Sequence, residues 1–584
     1  MSPTPATMSN PPPNDNVDSS PASTSPVSRP NSTDIPTPGA AKNPAESDVE
    51  KTVNVKIDQK LATITWYTIR MTILVALGGF IFGYDTGQIS GFLEMAVFRA
   101  RFGEETSDLS QHPSGFYFTR VRSGLLVGLL SIGTMCGCFI TGPLADKVGR
   151  KICISGCCFI VCIGVIAQIS AGNGNWIGIA MGRWVSGLGV GGLSTIVPMY
   201  MAETSPVHMR GAVISCYQLF IAMGMFTAFC INYGTNGLTT TASYRIPMGI
   251  NFTSPIILGL GMCFLPESPR YDWKVAKIER ARESIAKFYG CLETHAVVLN
   301  ECAEMKKAHY ESLGRQRWYE AIMGPRMVYR IALAMALQMF QQLTGANYYF
   351  YYGTSIFAGV GIENSYITAM ILGGVNVGGT FLGVYMARHF RRRESLCIAA
   401  LVQSVCFIVF ASVGKFALNE HEAGSHEAYI SGIIMIVFAC LFISAYAATW
   451  GPLVWTCIAE MFPTKSRAVA MSFATASNWF WNFILAFCTP FITREINFAY
   501  GYVFAACNIL AAITVFFFLI ESSGRPLEAV HGMYLQMVDP IKSHAFQFPR
   551  ETNVSSVGSR ESALKNQAGQ VEKIDKDDHA EAPS

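Results

Sequence analysis

Charged residues are scarce in this sequence. Asp, Glu, Lys and Arg make up only 14% of its 584 residues, whereas soluble proteins carry about 25%. The composition therefore excludes a set of ordinary soluble domains. Hydrophobic residues make up 51%, and they are grouped in stretches close to the ~20 residues that a helix needs to cross a bilayer. This pattern indicates a membrane protein with many crossings.

The sequence also lacks the signs of a disulfide framework, a metal centre or a catalytic centre. Most of its 17 cysteines, Cys157 and Cys158 among them, lie inside apolar stretches, where they act as small packing residues. It contains neither a Cys/His cluster with ligand spacing nor a nucleophile–base pair. We therefore expect no cofactor, no metal and no enzymatic activity, and nothing in the charge pattern indicates nucleic-acid binding.

No signal peptide precedes the first apolar stretch, which begins near residue 70 behind a polar leader. The leader is rich in Pro, Ser, Thr and Asn and is expected to be disordered, and the sequence from about 536 is similarly polar. We predict five parts: a disordered cytosolic N-terminal tail at 1–62, a six-helix bundle at 63–265, a cytosolic linker with short helices at 266–328, a second six-helix bundle at 329–520 and a cytosolic C-terminal tail at 521–584.

The apolar stretches number twelve, six on each side of a polar, charged loop. They predict an all-α membrane protein whose twelve transmembrane helices form two six-helix bundles. The stretches lie near 70–92, 123–145, 152–171, 176–199, 211–233, 246–265, 329–350, 365–387, 395–414, 429–458, 467–493 and 500–520.

Lys and Arg place both termini in the cytosol, because cytosolic connections carry an excess of these residues. The first outside loop is an exception, because it carries Arg99, Arg101, Arg120 and Arg122. The other connections taken together still place the excess of Lys and Arg on the cytosolic side. The residues that mark the cytosolic side are Lys147, Arg150, Lys151, Arg210, Arg388, Arg391 to Arg393, Lys465 and Arg467.

The two halves repeat each other. The pattern Ala-Glu-x-x-Pro-x-x-x-Arg ends the fourth stretch with Glu203 and Arg210, and it ends the tenth with Glu460 and Arg467 at the same spacing. The loop GPLADKVGRK at 142–151 likewise corresponds to ARHFRRRE at 387–394. Parallel repeats of this kind are related by an axis along the membrane normal, and their binding site lies between them.

With these motifs the sequence resembles the sugar porter family of the major facilitator superfamily, and fungal hexose carriers in particular. The motifs that carry the resemblance are GYDTGQISG, GPLADKVGRK, GRWVSGLGVGG, PESPR, QQLTGANYYFYYGTSIF, GPLVWTCIAEMFPTKSR and SNWFWNF. The resemblance covers nearly all of the membrane part. It implies two bundles of six helices, alternating access and a central site for one monosaccharide.

Asp85 lies inside the first apolar stretch, where a lone carboxylate is costly. It is 15 residues beyond Arg70, about 22 Å from the inner edge, while Arg183 lies 7 residues from Trp176, about 10 Å from the outer edge. In a hydrocarbon core about 30 Å thick, these two distances place both side chains at a similar depth. We therefore predict a buried Asp85–Arg183 pair. Two roles stay open: a static salt bridge, or a proton-coupling site in which only the carboxylate titrates, since a guanidinium keeps its charge.

A sugar site needs amides that both donate and accept hydrogen bonds, together with an aromatic plate. Gln341 and Gln342 share a helical face with Gln338, and Asn347 would join them if the helix breaks at Thr344–Gly345. Matching the family's central site implies seven residues: Gln218, Gln341, Gln342, Asn347, Asn376, Trp455 and Asn478.

Other polar and aromatic residues in the spans have two interpretations. Phe82 and Trp479 are expected as apolar walls of the site. Asn482 and Asn508 are interpreted as contacts between helices. The aromatic run from Phe350 to Tyr352 fits either the site or the core.

Charged residues at the inner ends of the spans predict a cytosolic gate. The resemblance implies salt bridges between the bundles, while membrane-edge anchoring is the alternative. The gate residues are Asp146, Arg150, Glu203, Arg210, Glu267, Glu460 and Arg467. In the C-terminal repeat, Arg388 and Arg391 replace an acidic residue and a glycine, so we expect this loop to use Glu460, Glu394 or acidic lipid head groups instead.

These patterns favour a plasma-membrane hexose transporter, with glucose as the first candidate and with protons as a second partner if Asp85 titrates. The alternative is a glucose sensor that binds sugar and signals through its tails. The expected partners are the monosaccharide and the bilayer, and the expected form is a monomer.

Overall fold

The structure, a computed structural model, describes residues 65–106, 115–310, 320–350, 365–418, 426–463, 466–525 and 527–546. The predicted N-terminal tail at 1–62, the predicted C-terminal tail beyond 546 and the pair Tyr351 and Tyr352 lie outside these residues. The statements that follow concern the described residues.

Helices form wherever the apolar stretches occur, because a helix satisfies its own backbone hydrogen bonds in a bilayer. In the N-terminal half they are α1 Trp66–Glu94, α2 Ala96–Phe102, α3 Arg120–Val148, α4 Arg150–Ile169, α5 Trp176–Thr204, α6 Arg210–Asn236, α7 Ala242–Ile250 and α8 Thr253–Gly261, which continues as a 3₁₀ turn at Met262–Phe264. Two antiparallel strands, β1 Glu104–Glu105 and β2 Phe116–Tyr117, follow α2.

The linker and the C-terminal half supply the remaining helices. They are α9 Pro269–Lys274, α10 Ile278–Tyr289, α11 Ala296–Tyr310, α12 Glu320–Met323, α13 Met327–Leu343, α14 Ser365–His389, α15 Arg392–Ser412, α16 His426–Ala448, α17 Trp450–Met461, α18 Arg467–Ile496, α19 Tyr500–Phe518 and α20 Leu527–Leu535. A π-helical turn at Val413–Leu418 extends α15, and 3₁₀ turns lie at Asn497–Ala499 and Ser543–Ala545.

The described helices fit twelve crossings. Ten helical stretches are long and apolar enough to span a membrane. One of them, Arg467–Phe518, contains both α18 and α19. The seventeen-residue α13 begins the seventh crossing. The predicted all-α fold with twelve transmembrane helices is therefore confirmed.

Three crossings contain a break in the helix. The sixth is divided into α7 and α8, where Pro255 has no N–H to donate to the carbonyl of Asn251. In the seventh, α13 ends at Leu343 and Gly345 has a φ of +95°, a conformation that favours glycine. The tenth is interrupted at Thr449, between α16 and α17. The seventh and tenth breaks bring Asn347 and Trp455 to the same cavity.

The two halves pack against each other along α3 with α18 and along α6 with α14 and α17. Within the N-terminal half, α1 and α6 approach closely: a Cβ at Gly83 would lie 1.9 Å from the carbonyl oxygen of Ile221. The central cavity lies between the halves, as the internal repeat predicts.

Candidate functional site: a central amide-lined cavity and a charged inner gate

A cavity lies between the two halves. All seven residues expected at the sugar site line it, and they come from five helices and the segment after α13. The complete lining is Phe82, Thr86, Gln218, Ile221, Met225, Gln341, Gln342, Asn347, Phe350, Asn376, Tyr446, Trp455 and Asn478.

The amides in this wall form one network, centred on Asn478. Asn478 Nδ2 donates to Gln338 Oε1 at 2.5 Å and to Gln341 Oε1 at 2.8 Å. Its Oδ1 accepts from Gln342 Nε2 at 2.8 Å, and Asn347 Nδ2 donates to Gln342 Oε1. The network fixes the orientation of each amide, because each one must donate and accept at defined atoms.

Gln341 also holds the broken tenth crossing. Its Nε2 donates to the carbonyl oxygens of Trp450 and Gly451, both at 2.9 Å. Both N–H bonds of this amide are therefore used by the protein. Gln341 can still offer Oε1 to a ligand, but its two N–H groups hold α17 beside α13.

Aromatic rings close the cavity on the apolar side. Trp455 is 2% exposed, and its ring meets that of Tyr217 edge-on, with centroids 5.5 Å apart. Phe82 lines the cavity, whereas Trp479 lies behind it, with ring centroids 4.6 Å apart. Of the two residues expected as apolar walls, Phe82 therefore lines the cavity directly, and the fully buried Trp479 supports it from behind.

Four lining residues were not among those predicted: Thr86, Ile221, Met225 and Tyr446. Helical spacing could have identified three of them. Thr86 follows Phe82 by four positions, and Ile221 and Met225 follow Gln218 by three and seven, so they share its face. Phe350, which the sequence left between site and core, lines the cavity as well.

Asn482 and Asn508 connect helices, as the sequence predicted. Asn508 Nδ2 donates to the carbonyl of Thr344 at 3.1 Å, next to the break in the seventh crossing. Asn482 Nδ2 donates to Gln342 Oε1 at 3.3 Å. Asn482 Oδ1 accepts from Ser131 Oγ at 2.8 Å, which joins α18 to α3 of the other half.

Because the Ser131–Asn482 bond crosses between the halves, we expect Ser131→Ala to weaken that contact by about 1 kcal/mol. Adding Ser131→Ala to Asn482→Ala should cost nothing further, since the partner is already gone. Thermal unfolding of the purified single and double variants measures this coupling. Fully additive losses would show that the bond contributes no stability.

Asp85 and Arg183 meet as predicted, each 1% exposed. Arg183 Nη1 lies 3.5 Å from Asp85 Oδ1 and donates to the Asp85 carbonyl at 3.5 Å. Gln88 Nε2 donates to the same Oδ1 at the shorter distance of 2.6 Å. Asp85 Oδ2 is buried and has no hydrogen-bond partner among the described residues.

The charged residues expected at the gate are centred on Glu203 of α5, whose side chain is fully buried between two guanidinium groups. Arg150 Nε lies 3.2 Å from Glu203 Oε2, and Ser268 Oγ donates to the same oxygen. Arg467 Nη1, from the C-terminal half, lies 3.5 Å from Glu203 Oε1. Glu203 therefore joins the two halves.

Asp146 and Glu267 complete the N-terminal part of the gate. Asp146 Oδ1 lies 3.1 Å from Arg150 Nη2. Glu267 accepts from the backbone N–H groups of Arg150 at 2.9 Å and Lys151 at 3.1 Å. Burial raises the pKa of Glu267 above its ordinary value, against these N–H donors and that of Ser268, which lower it. Glu267 thus caps the start of α4.

The C-terminal repeat contains the equivalent arginine–glutamate pair without the missing acidic residue. Arg392, the counterpart of Arg150, pairs with Glu460, and Glu521 accepts from the backbone N–H groups of Arg392 and Arg393 at 3.2 and 3.0 Å. Arg391 pairs with Glu394 at 2.9 Å on the surface, and Arg388 is exposed. The expected use of Glu460 and Glu394 is present in the structure.

Arg210 is buried beside Glu203, Arg270 and Tyr289, in a small space between the N-terminal half and the linker helices. A Cβ at its neighbour Gly211 would lie 2.8 Å from Arg392 Nη2, so Arg392 reaches the other half just as Arg467 does. The seven residues expected at the gate therefore lie at or next to helix ends, in two pseudo-equivalent groups.

Comparison with known proteins gives a family match over most of the chain. The family model described as "Sugar (and other) transporter" matches residues 71–534. The high-affinity fructose transporter ght6 of Schizosaccharomyces pombe is 40% identical over 497 residues, 85% of this chain and 92% of that protein. The low-affinity glucose transporter of Kluyveromyces lactis is 40% identical and covers 86% of this chain and 88% of its own length.

A solved structure shares the fold. The proton:xylose symporter XylE, of the major facilitator superfamily, superposes with a TM-score of 0.69 and 22% sequence identity. The match covers 80% of this chain and 99% of XylE. At this identity the likeness supports the arrangement of the twelve helices.

Proposed function

Because this chain belongs to the sugar transporter family, we propose that it carries a hexose, with glucose as the first candidate, across the plasma membrane by alternating access. The observation that carries the proposal is the central cavity, into which both halves contribute amides and an aromatic plate. Sugar hydroxyls donate and accept at once, and so do amides. The relatives' printed names concern glucose and fructose transport.

The roles of the seven site residues follow from their partners. Asn478, Gln342 and Gln341 hold one another. Asn478 and Gln341 each offer a remaining lone pair to sugar hydroxyls, and Gln342 offers its second N–H. Gln218 from α6 and Asn376 from α14 approach from the other walls, and Asn347 closes the cavity beside the break in the seventh crossing. Trp455 supplies the apolar surface for the sugar ring.

The gate controls the change between the outward-facing and inward-facing conformations. With Glu203 bound to Arg467, the inner ends of the halves are held together, which closes the inward path. Opening inward requires this pair to separate, and sugar binding must favour that change by its own differential affinity. We place the gate and both termini in the cytosol, in agreement with the distribution of Lys and Arg, and a single chain contains the complete site.

Uptake of labelled glucose tests the proposal. A cell that lacks its own hexose carriers should gain saturable glucose uptake when it expresses this chain, and unlabelled fructose or xylose in competition would define the substrate range. The sensor alternative has little support, because the named relatives are transporters. Surface expression and glucose binding without net uptake would overturn the proposal in favour of a sensor.

We further propose that Asp85 takes up a proton during the cycle. Asp85 Oδ2 is buried without a hydrogen-bond partner among the described residues, so protonation of this oxygen would break no existing hydrogen bond. Its longer contact with Arg183 joins α1 to α5. Movement of these helices would change the distance between the two charges, and with it the free-energy difference between the ionised and protonated forms of Asp85.

Asp85→Asn should therefore abolish sugar-driven alkalinisation of the medium, because an amide carries no titratable proton. Asp85→Glu is the matched control and should retain some alkalinisation, since it restores a carboxyl group. A pH electrode in a weakly buffered cell suspension measures the proton uptake that follows sugar addition. Sugar uptake without alkalinisation in the unmodified protein would leave the pair a purely structural one.

A further inference from the structure

The segment after the last crossing, described at residues 521–525 and 527–546, is folded against the inner end of the C-terminal half. Leu527, Val530, Met533 and Tyr534 of α20 are all buried. Arg525, which precedes α20, donates from Nη2 to the carbonyls of Ser543 and Phe546, which follow it, both at 2.9 Å. The sequence from about residue 536 is polar, and the structure shows its described part packed as far as Phe546.

The centre of this contact is Arg330, in the first turn of α13. Arg330 is fully buried, yet none of the described carboxylates forms a salt bridge with it. Its Nη1 lies 2.7 Å from His531 Nδ1, and its Nη2 donates to the His531 carbonyl at 3.2 Å. The guanidinium also lies over the ring of Tyr534, at 4.7 Å from the centroid. α20 therefore supplies the partners of this buried cation.

The chemistry of the Arg330–His531 contact fixes the protonation state of His531. A guanidinium only donates hydrogen bonds, so Nδ1 must accept, and only a neutral imidazole has a nitrogen that accepts. A proton on Nδ1 would remove the acceptor and place two cations at hydrogen-bond distance. Imidazole is the side chain that changes charge between about pH 5 and 8.

The docked segment touches two crossings that carry site residues. α13 contains Gln341 and Gln342, and α17, which contains Trp455 and Glu460, packs against α20. Among the described residues, Tyr534 of α20 interacts electrostatically with Tyr329 of α13 and Cys457 of α17 as well as with Arg330. Glu528 precedes His531 by three residues in the sequence.

We propose that His531 is a positioning residue that, while neutral, fixes the inner end of α13 through Arg330, and that protonation of its ring releases α20 from the C-terminal half. Acidification on the side that the segment faces then loosens α13 and α17, and with them the sugar site and the Glu460 side of the gate. The cytosolic location of the segment rests on the orientation proposed above. The release itself does not depend on transport or on the identity of the sugar.

Hydrogen–deuterium exchange of the purified full chain, without sugar, tests the release directly. Exchange is compared at about pH 7.5 and about pH 5.5, on the two sides of imidazole titration, with labelling times scaled for the intrinsic rate. Peptides from 527–535 should lose about tenfold in protection at the lower pH. Peptides from the first turn of α13 should lose protection with them, whereas α5 should not change.

Three variants separate this mechanism from general acid sensitivity. His531→Gln keeps an oxygen that accepts from Arg330 at every pH, so α20 should stay protected at both. His531→Lys carries a permanent charge, so α20 should be unprotected at both. His544→Gln alters the exposed histidine of the same segment and should behave like the unmodified chain. Equal protection of the unmodified chain at both pH values, or an equal loss in His531→Gln, would overturn the proposal even if His531→Lys fails to fold.

Discussion

Asn478→Ala is expected to raise the KM for glucose uptake by tens of times to about a hundredfold while the protein still reaches the cell surface. Asn478 forms three hydrogen bonds with the glutamines of α13. Its removal leaves Gln338, Gln341 and Gln342 without the partner that orients them, and it takes one amide from the cavity wall. A loss of about 2–3 kcal/mol from such a buried network corresponds to that change in affinity.

The measurement is the concentration dependence of initial uptake, normalised to the amount of protein at the surface. Asn232→Ala is the matched control, because Asn232 is equally buried and donates to the backbone of α1 at Gly87 and Gln88 without lining the cavity. It should lower thermal stability and leave KM within about twofold. If both variants raise KM equally, the effect of Asn478 is one of folding and not of the site.

The helices and some side-chain contacts were predictable from local patterns, whereas the seven residues expected at the sugar site came from the resemblance to the family. Crossings follow from apolar length, and the Asp85–Arg183 pair follows from counting residues from each membrane edge. The break that brings Asn347 into the cavity follows from Gly345, because few other residues adopt its φ of +95°. These features are local, so local patterns suffice to predict them.

Other features depend on contacts that no local pattern encodes. The use of both Gln341 N–H bonds by the carbonyls of Trp450 and Gly451 depends on where the tenth crossing breaks relative to the seventh. Tyr446 has no polar neighbour at helical spacing that marks it as a cavity residue. The docking of α20 depends on Arg330, which in the sequence resembles any other basic residue at a membrane edge, so the sequence did not predict this contact.

Glu203→Gln is expected to lower glucose uptake per surface molecule by at least about tenfold, and to lower the stability of the protein as well. The Glu203 side chain is fully buried between Arg150 and Arg467. A neutral amide fills the same space, but among the described residues Arg150 then keeps only Asp146 as an ion-pair partner and Arg467 loses its ion pair with the other half. Removing one member of a buried ion pair costs about 3–5 kcal/mol, more than enough to shift the balance between two conformations of a carrier.

The direction of the shift follows from which state contains the contact. Glu203 joins Arg467 across the halves only when their inner ends are together, so its loss should favour the inward-open form and leave fewer sites facing outward. Uptake into cells should fall more than sugar-stimulated efflux, because efflux begins from the favoured form. Comparing the two directions in one preparation measures this asymmetry, and equal losses in both would indicate that Glu203 supports folding without gating.

Glu394→Gln provides the control that tests burial as the cause. Glu394 and Arg391 are closer, at 2.9 Å, but both side chains are more than half exposed. An exposed pair contributes about 0–1 kcal/mol, so Glu394→Gln should leave uptake within about twofold in either direction. Two carboxylates at the same membrane edge would then differ at least fivefold in their effect on uptake, and the shorter ion pair would be the weaker one. Distance alone predicts the opposite order, so the comparison decides whether burial between the halves is what makes Glu203 a gate.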